Sequence, residues 1–195
     1  MADVRVQVNG KVALLAHCLL NQNSKPYMRA RYPGIVEPVL DVLRRSGYAL
    51  FQMPCPEVGF AGLNRFSQVI EQYDTAGYRG HCRCLASMVA DQIDRYPTTG
   101  YRLVLLGIDG SPSCGIDLTG TSPEWKGYPG SSAVGEAYPI GKGKGIFMQE
   151  LEKELELRGM EFPGAVGVAL DRHGVDLEQV GPLLEQALEQ IEADR

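Results

Sequence analysis

The sequence predicts an α/β fold with a mostly parallel sheet flanked by helices and ligand loops at the carboxyl ends of the strands. Four short apolar runs bounded by Gly or Pro read as strands covered on both faces. Helical patterns of period 3.6 fall between them, and strand alternating with helix gives right-handed parallel crossovers. No repeat, low-complexity linker or break in composition divides the 195 residues. The expectation is one Rossmann-like domain spanning residues 1–195.

The elements follow in order. Val12 to Ala16 (VALLA) is an apolar strand after the Asn9-Gly10 turn signal. Ile35, Val36, Val39, Leu40 and Leu43 form a helical stripe, with Pro38 tolerable in the first turn and Gly47 as a stop. Tyr48 to Met53 reads as the second strand. Residues 78–96 place Cys82, Leu85, Val89 and Ile93 on one helical face. Tyr101 to Ile108 follows Thr99-Gly100 as the third strand. Residues 145–158 group Phe147, Leu151 and Leu155 before Gly159, and Ala165 to Leu170 is the fourth strand. Asp176 with Gln179 resembles a capping box, and the tail sets Leu184, Ala187, Leu188 and Ile191 on one face after Pro182. Residues 17–34 and 115–144 remain as long connections rich in Gly, Pro, Ser and Asn, of a length usually tied to function.

Composition excludes several classes. Asp and Glu number 24 against 19 Lys and Arg, a formal net charge of −5. With no basic stripe, nucleic acid is a poor partner. No apolar run reaches the roughly 18 residues that span a bilayer, so a membrane partner is not expected. The five cysteines are an odd number, and no secretory signal is evident. Both points argue for reduced thiols and a cytoplasmic location. Composition says nothing of oligomeric state.

Position makes the cysteines informative. Cys18 comes two residues after the first strand, Cys55 two after the second, and Cys114 just beyond the third. In an open parallel sheet those strand ends converge on the ligand site. Free cysteine also packs as a small hydrophobe, but three on one sheet edge make a soft donor set suited to an iron–sulfur cluster or zinc. A structural zinc site closes with four protein ligands, and His17 is available to complete Cys₃His. A cubane cluster on three thiolates instead leaves one iron open. Cys82 lies on the core stripe of its helix, and Cys84 points to another face.

At these residues the chain resembles the DUF523 family, whose characterised members are thiouracil desulfidases. The motifs are Cys18-Leu19-Leu20, then Cys55-Pro56-Glu57 with Gly62-Leu63, and Ser111-Pro112-Ser113-Cys114-Gly115. A Gly-rich segment opening a helix, Gly141-Lys142-Gly143-Lys144-Gly145, completes the pattern. The likeness covers most of residues 12–170, and Ser-Pro-Ser-Cys-Gly is its most specific part. It implies a [4Fe-4S] cluster held by Cys18, Cys55 and Cys114. It also implies removal of sulfur from a thiocarbonyl compound such as 2-thiouracil, giving the oxo compound and sulfide without net redox change. The sequence departs from the pattern at Asn21-Gln22-Asn23-Ser24, at Gly62-Leu63-Asn64-Arg65-Phe66 and in the loop at 116–140.

The remaining polar residues then take expected roles. Glu57, two residues past a ligand, is tethered to act on water, with Gln52 and Asp109 as weaker polar neighbours. Ser111, which matches a functional position of the family motif, is the better candidate of the loop serines, with a hydroxyl that could orient water or bond a cluster sulfur. Ser113 is counted with the cofactor-binding residues, through a hydroxyl bonded to a cluster sulfur. Gly141 to Gly145 reads as a hinge or as an anion cradle, without the spacing of a nucleotide-binding loop. Tyr27, Phe60, Trp125 and Tyr128 are available to stack on a small planar heterocycle. The alternative reading is a non-catalytic zinc or thiol module on the same fold. A nucleotide-binding protein is disfavoured by His17-Cys18-Leu19-Leu20-Asn21 where a glycine fingerprint would stand.

Overall fold

The four apolar runs form one parallel sheet. A computed structural model describes residues 10–27, 29–96, 100–124, 139–170 and 176–193. In chain order, β1 (Lys11–Leu15) leads to α1 (His17–Leu20), a 3-10 turn (Gln22–Ser24) and α2 (Glu37–Arg45). Next come β2 (Ala49–Gln52), α3 (Pro56–Ala61), α4 (Ile70–Tyr73), α5 (Ala76–Arg95) and β3 (Arg102–Ile108). The chain continues through β4 (Leu118–Gly120), β5 (Ile140–Lys142), α6 (Ile146–Leu157) and β6 (Gly164–Val168). It closes with a 3-10 turn (Leu177–Gln179) and α7 (Val180–Ala193).

The sheet order is β2-β1-β3-β6, every pair parallel, with Leu14 of β1 flanked by Phe51 of β2 and Leu105 of β3. The two central strands are the most apolar and the most buried; edge strand β2 is largely exposed. This is the α/β architecture that the alternating pattern predicts. Helices α2 and α7 pack together, as do α5 and α6. Right-handed crossovers put these pairs on opposite faces: β1 to β2 runs one way across the sheet, and β2 to β3 to β6 runs the other. The predicted stripes supply the buried faces, through Val39 and Leu43 of α2, Cys82, Val89 and Ile93 of α5, Phe147, Leu151 and Leu155 of α6, and Leu184 and Leu188 of α7.

The long connections contain structure that hydrophobic periodicity does not reveal. Residues 17–34 hold α1 and a 3-10 turn, each too short to show a period. The ends of the 115–144 stretch pair antiparallel as β4 and β5, with Leu118 opposite Lys142. Residues 125–138 of that insertion, including Trp125 and Tyr128, lie outside the described residues. No described helix is long and apolar enough to cross a membrane.

Helices α5 and α6 are also joined by charge. Glu150 is 2% exposed and accepts from Arg79 (2.6 Å), Lys153 (3.0 Å) and Arg83 (3.4 Å). Burial alone would raise its carboxyl, but the hydrogen bonds from Lys153 and Arg79 outweigh it and hold the group below its ordinary value. A carboxyl depressed in the folded state stabilises above its unfolded pKa and loses that contribution as pH falls through the folded one. The melting temperature is therefore expected to fall as pH drops from about 5 to about 3. Glu150→Gln should flatten that dependence, which thermal melts of the two proteins across this range would show.

Candidate active site

The strand order reverses between β1 and β3. From β1 the chain moves outward to β2, and β3 then enters on the other side. Such switch points open a crevice beyond the carboxyl ends of the strands, and the three cysteines of interest sit there. Cys18 follows β1, Cys55 follows β2 and Cys114 follows β3, on three adjacent strands. Their settings differ from a uniform set of loops. Cys18 lies within the single turn of α1, and Gln22 bonds its carbonyl at 2.5 Å. Cys55 is the N-cap of α3, its Sγ accepting the Val58 N–H at 3.4 Å, with Pro56 in the first helical position. Only Cys114 stands in an irregular loop.

That loop is tied down by side chains acting on its backbone. Ser111 Oγ accepts the N–H groups of Ser113 (3.2 Å) and Cys114 (3.0 Å). Asp109 Oδ1 accepts those of Ile116, Asp117 and Leu118 at 3.1–3.2 Å, folding the chain back on itself just after Cys114. The Cys114 carbonyl takes the Ile108 N–H at 2.9 Å. Asp109 is therefore an organiser of the third cysteine loop, a larger part than that of a polar neighbour.

Helix α6 supplies the remaining support. A helix start leaves its first N–H groups without partners, and here the loop fills them. The Gly145, Ile146 and Phe147 N–H groups bond the carbonyls of Gly115 (3.0 Å), Pro112 (2.8 Å) and Ser113 (3.0 Å). This corrects the anion-cradle reading of Gly141 to Gly145: the donors at this helix start are spent on the cysteine loop. Gly145 permits the contact, because a Cβ there would overlap the Ser113 carbonyl and lie 2.8 Å from the Cys114 nitrogen. Gly145→Ala is expected to cost about 1–3 kcal/mol by forcing the two segments apart. Its melting temperature and its metal content after reconstitution should both fall, and normal values for both would contradict this packing.

The three thiols line one pocket together with His17, Lys25, Arg29, Glu57, Arg65, Asp109 and Ser111. Burial raises the Cys18 thiol to about 11, with Lys25 pulling the other way. Burial also raises Cys55, and raises Cys114 well above the ordinary value, where the neighbouring Cys18 and Cys55 add to the effect. Without a cation the set thus holds its protons; a bound metal reverses this by stabilising thiolate. Among the described residues, no three His, Cys, Asp or Glu side chains gather closely enough to hold one metal ion. The thiols stand around the pocket and are not drawn to one point. The ring of His17 meets the Met53 backbone and, at 3.5 Å, the Asn21 amide. Burial lowers its pKa.

Glu57 is held on both of its carboxylate oxygens. Its Oε1 accepts from Ser113 Oγ (2.9 Å), and its Oε2 accepts from Arg65 Nε (2.9 Å) and Tyr73 OH (3.4 Å). Arg65, with a side chain only 4% exposed, also donates to the carbonyls of Gly62 (3.2 Å) and Ser24 (2.8 Å). It ties the segments after Cys18 and Cys55 to the same carboxylate. Ser113 is fully buried and its proton goes to Glu57, so it meets the site through that residue. Tyr27 and Phe60 are exposed and stand outside the pocket wall. Cys82 is buried in the core with its thiol raised to about 12, chiefly by burial, and Cys84 is exposed.

Arg65, Tyr73 and Tyr78 have no place in the sequence-derived site. Arg65 carried one signal, its position just after Gly62-Leu63 in the altered motif. The tyrosines carried none: Tyr73 lies in a four-residue helix too short to show a period, and Tyr78 shares the buried face of α5 with Cys82.

Comparison with known proteins agrees with the motifs. The model of a family described as "Putative 2-thiouracil desulfurase" matches residues 24–172. An uncharacterized protein of Methanocaldococcus jannaschii is 28% identical over 158 residues, covering 78% of this chain and 86% of the relative. A solved structure of a [4Fe-4S]-dependent thiouracil desulfidase, TudS, aligns over 92% of this chain and 99% of its own, with 22% identity and a TM-score of 0.47.

Proposed function

The chain belongs to the 2-thiouracil desulfurase family, and on that premise we propose that it is an iron–sulfur-dependent desulfidase. Cys18, Cys55 and Cys114 would hold a [4Fe-4S] cluster. The substrate would be a small thiolated heterocycle, and the reaction R₂C=S + H₂O → R₂C=O + H₂S, with no change of redox state. The observation that carries the reading is the meeting of three thiols, at the ends of three adjacent strands, with a half-buried Glu57 held on both carboxylate oxygens in one pocket.

The donor set suits the cluster. Three thiols are soft ligands lining one pocket, the class of donor that an iron–sulfur cluster takes. A zinc site of the same cysteines with His17 would need four donors at one centre, whereas the His17 ring is already engaged by Met53 and Asn21. When bound, a cluster on three thiolates supplies an iron with an open position, a soft Lewis acid for a thiocarbonyl sulfur.

The protein's own residues supply the rest. Glu57 holds a water by one of its remaining lone pairs and takes a proton from it as oxygen attacks carbon. Arg65, Ser113 and Tyr73 fix the carboxylate so that no reorganisation is needed at that moment. Ser111 has two N–H groups on its oxygen, so its proton is what it offers the pocket, as a donor to the heterocycle. Asp109 and α6 keep the Cys114 loop still. We read residues 1–195 as one catalytic domain acting in the cytoplasm.

The test is anaerobic reconstitution with iron and sulfide, followed by sulfide release from a panel of thiolated bases. Desulfuration of at least one base by the cluster-loaded protein supports the reading. A protein that takes up one zinc, contains no acid-labile sulfide and desulfurates nothing would select the zinc module.

A further inference from the structure

We propose that Tyr78 is a positioning residue of this site: its hydroxyl orients the Ser113 hydroxyl onto Glu57 and so sets the carboxylate that faces the pocket. The inference rests on the reading of Glu57 as the group that positions water.

Proton counting gives the direction of the chain of hydrogen bonds. Ser113 Oγ donates to Glu57 Oε1 at 2.9 Å. A hydroxyl has one proton, so the 2.7 Å contact between Ser113 Oγ and Tyr78 OH must run from the tyrosine. Every member then points one way, Tyr78 to Ser113 to Glu57, while Arg65 and Tyr73 hold the other carboxylate oxygen. Burial, and then the charge of Glu57, raises the Tyr78 phenol far above its ordinary value, which keeps it a donor. Ser113 is fully buried, so no solvent is at hand to replace the tyrosine if it is lost.

Packing places the Tyr78 ring independently of its hydroxyl. Thr75 caps α5 by accepting the Tyr78 N–H at 3.2 Å. The ring lies 4.5 Å from that of Tyr73 and meets Phe60 edge-on at 5.1 Å. Cys82, four residues along α5, is also within hydrogen-bond reach of the hydroxyl and is the acceptor left to it when Ser113 is removed. Tyr78→Phe thus deletes one donor and little else. Neither Tyr78 nor Ser113 lines the pocket, so neither touches substrate.

Tyr78→Phe, Ser113→Ala and the double variant test this after anaerobic reconstitution, with 2-thiouracil as the probe. Each single variant should keep wild-type iron content and KM while kcat falls roughly ten- to hundred-fold. The double variant should be no slower than the slower single one, since both cut the same chain. A second readout needs neither cluster nor turnover. In apoprotein labelled at tyrosine ¹³Cζ, Ser113→Ala should shift the Tyr78 resonance, assigned by its loss in Tyr78→Phe. Wild-type kcat in Tyr78→Phe, loss of iron in it, multiplicative effects in the double variant, or an unmoved Tyr78 resonance would each overturn the proposal. If the wild-type protein desulfurates nothing, the reading of function falls, and the ¹³C measurement alone decides the orientation of Ser113.

Discussion

Cys114→Ala should fold and yet bind no iron. The cysteine loop is held by Ser111, Asp109 and the start of α6, through bonds that do not involve the Cys114 side chain. Alanine therefore leaves the fold standing and removes a third of the donor set. Cys18→Ala and Cys55→Ala should behave alike, because two thiols cannot hold a cluster that needs three. Cys82→Ala and Cys84→Ala should load normally, since one is packed in the core and the other exposed. Iron and acid-labile sulfide per chain, measured after anaerobic reconstitution, separate these groups. Wild type should carry about four irons. Full loading in all three pocket variants would remove the basis of the proposed function.

Glu57→Gln is expected to have the next largest effect, and of a different kind. The amide keeps the shape, but its single oxygen can accept on one side only, from Ser113 or from Arg65 and Tyr73, and it takes no proton from water. The loss of general-base action corresponds to about 10²–10⁴ in kcat, with iron content unchanged. A second consequence follows from Arg65, whose side chain is 4% exposed. Without the carboxylate its guanidinium is buried unpaired, at a cost of about 3 kcal/mol in stability. Single-turnover rates and denaturant unfolding of the same variant read both effects. A variant that lost iron instead would show that Glu57 supports the ligand loops and not the reaction.

Much of this site was legible from spacing alone. Cys18 and Cys114 follow apolar runs that form buried strands, Cys55 follows the run that forms the largely exposed edge strand β2, and parallel topology brings such strand ends together. What spacing could not supply was the local means of support. The turn that carries Cys18 is four residues long, below the length at which a helical period can be counted. The strands β4 and β5 have three residues each and pair across the long insertion. Ser111 and Asp109 were visible as polar loop residues, but their work is on backbone N–H groups, which carry no side-chain signature. Tyr78 sits on the apolar face of its helix, where its ring reads as core and its hydroxyl goes unseen. The lysines and glycines before α6 suggested an anion site because unpaired helix N–H groups favour one. The chain's own carbonyls, from Pro112, Ser113 and Gly115, fill that role.

The most direct test of the account is to follow oxygen. Cluster-loaded protein, 2-thiouracil and H₂¹⁸O are mixed anaerobically without reductant or oxidant, and both products are counted. Uracil should carry one ¹⁸O from solvent, with one sulfide for each uracil formed, over many turnovers. Product oxygen that does not come from water, a requirement for an electron donor or acceptor, or uracil without matching sulfide would contradict it.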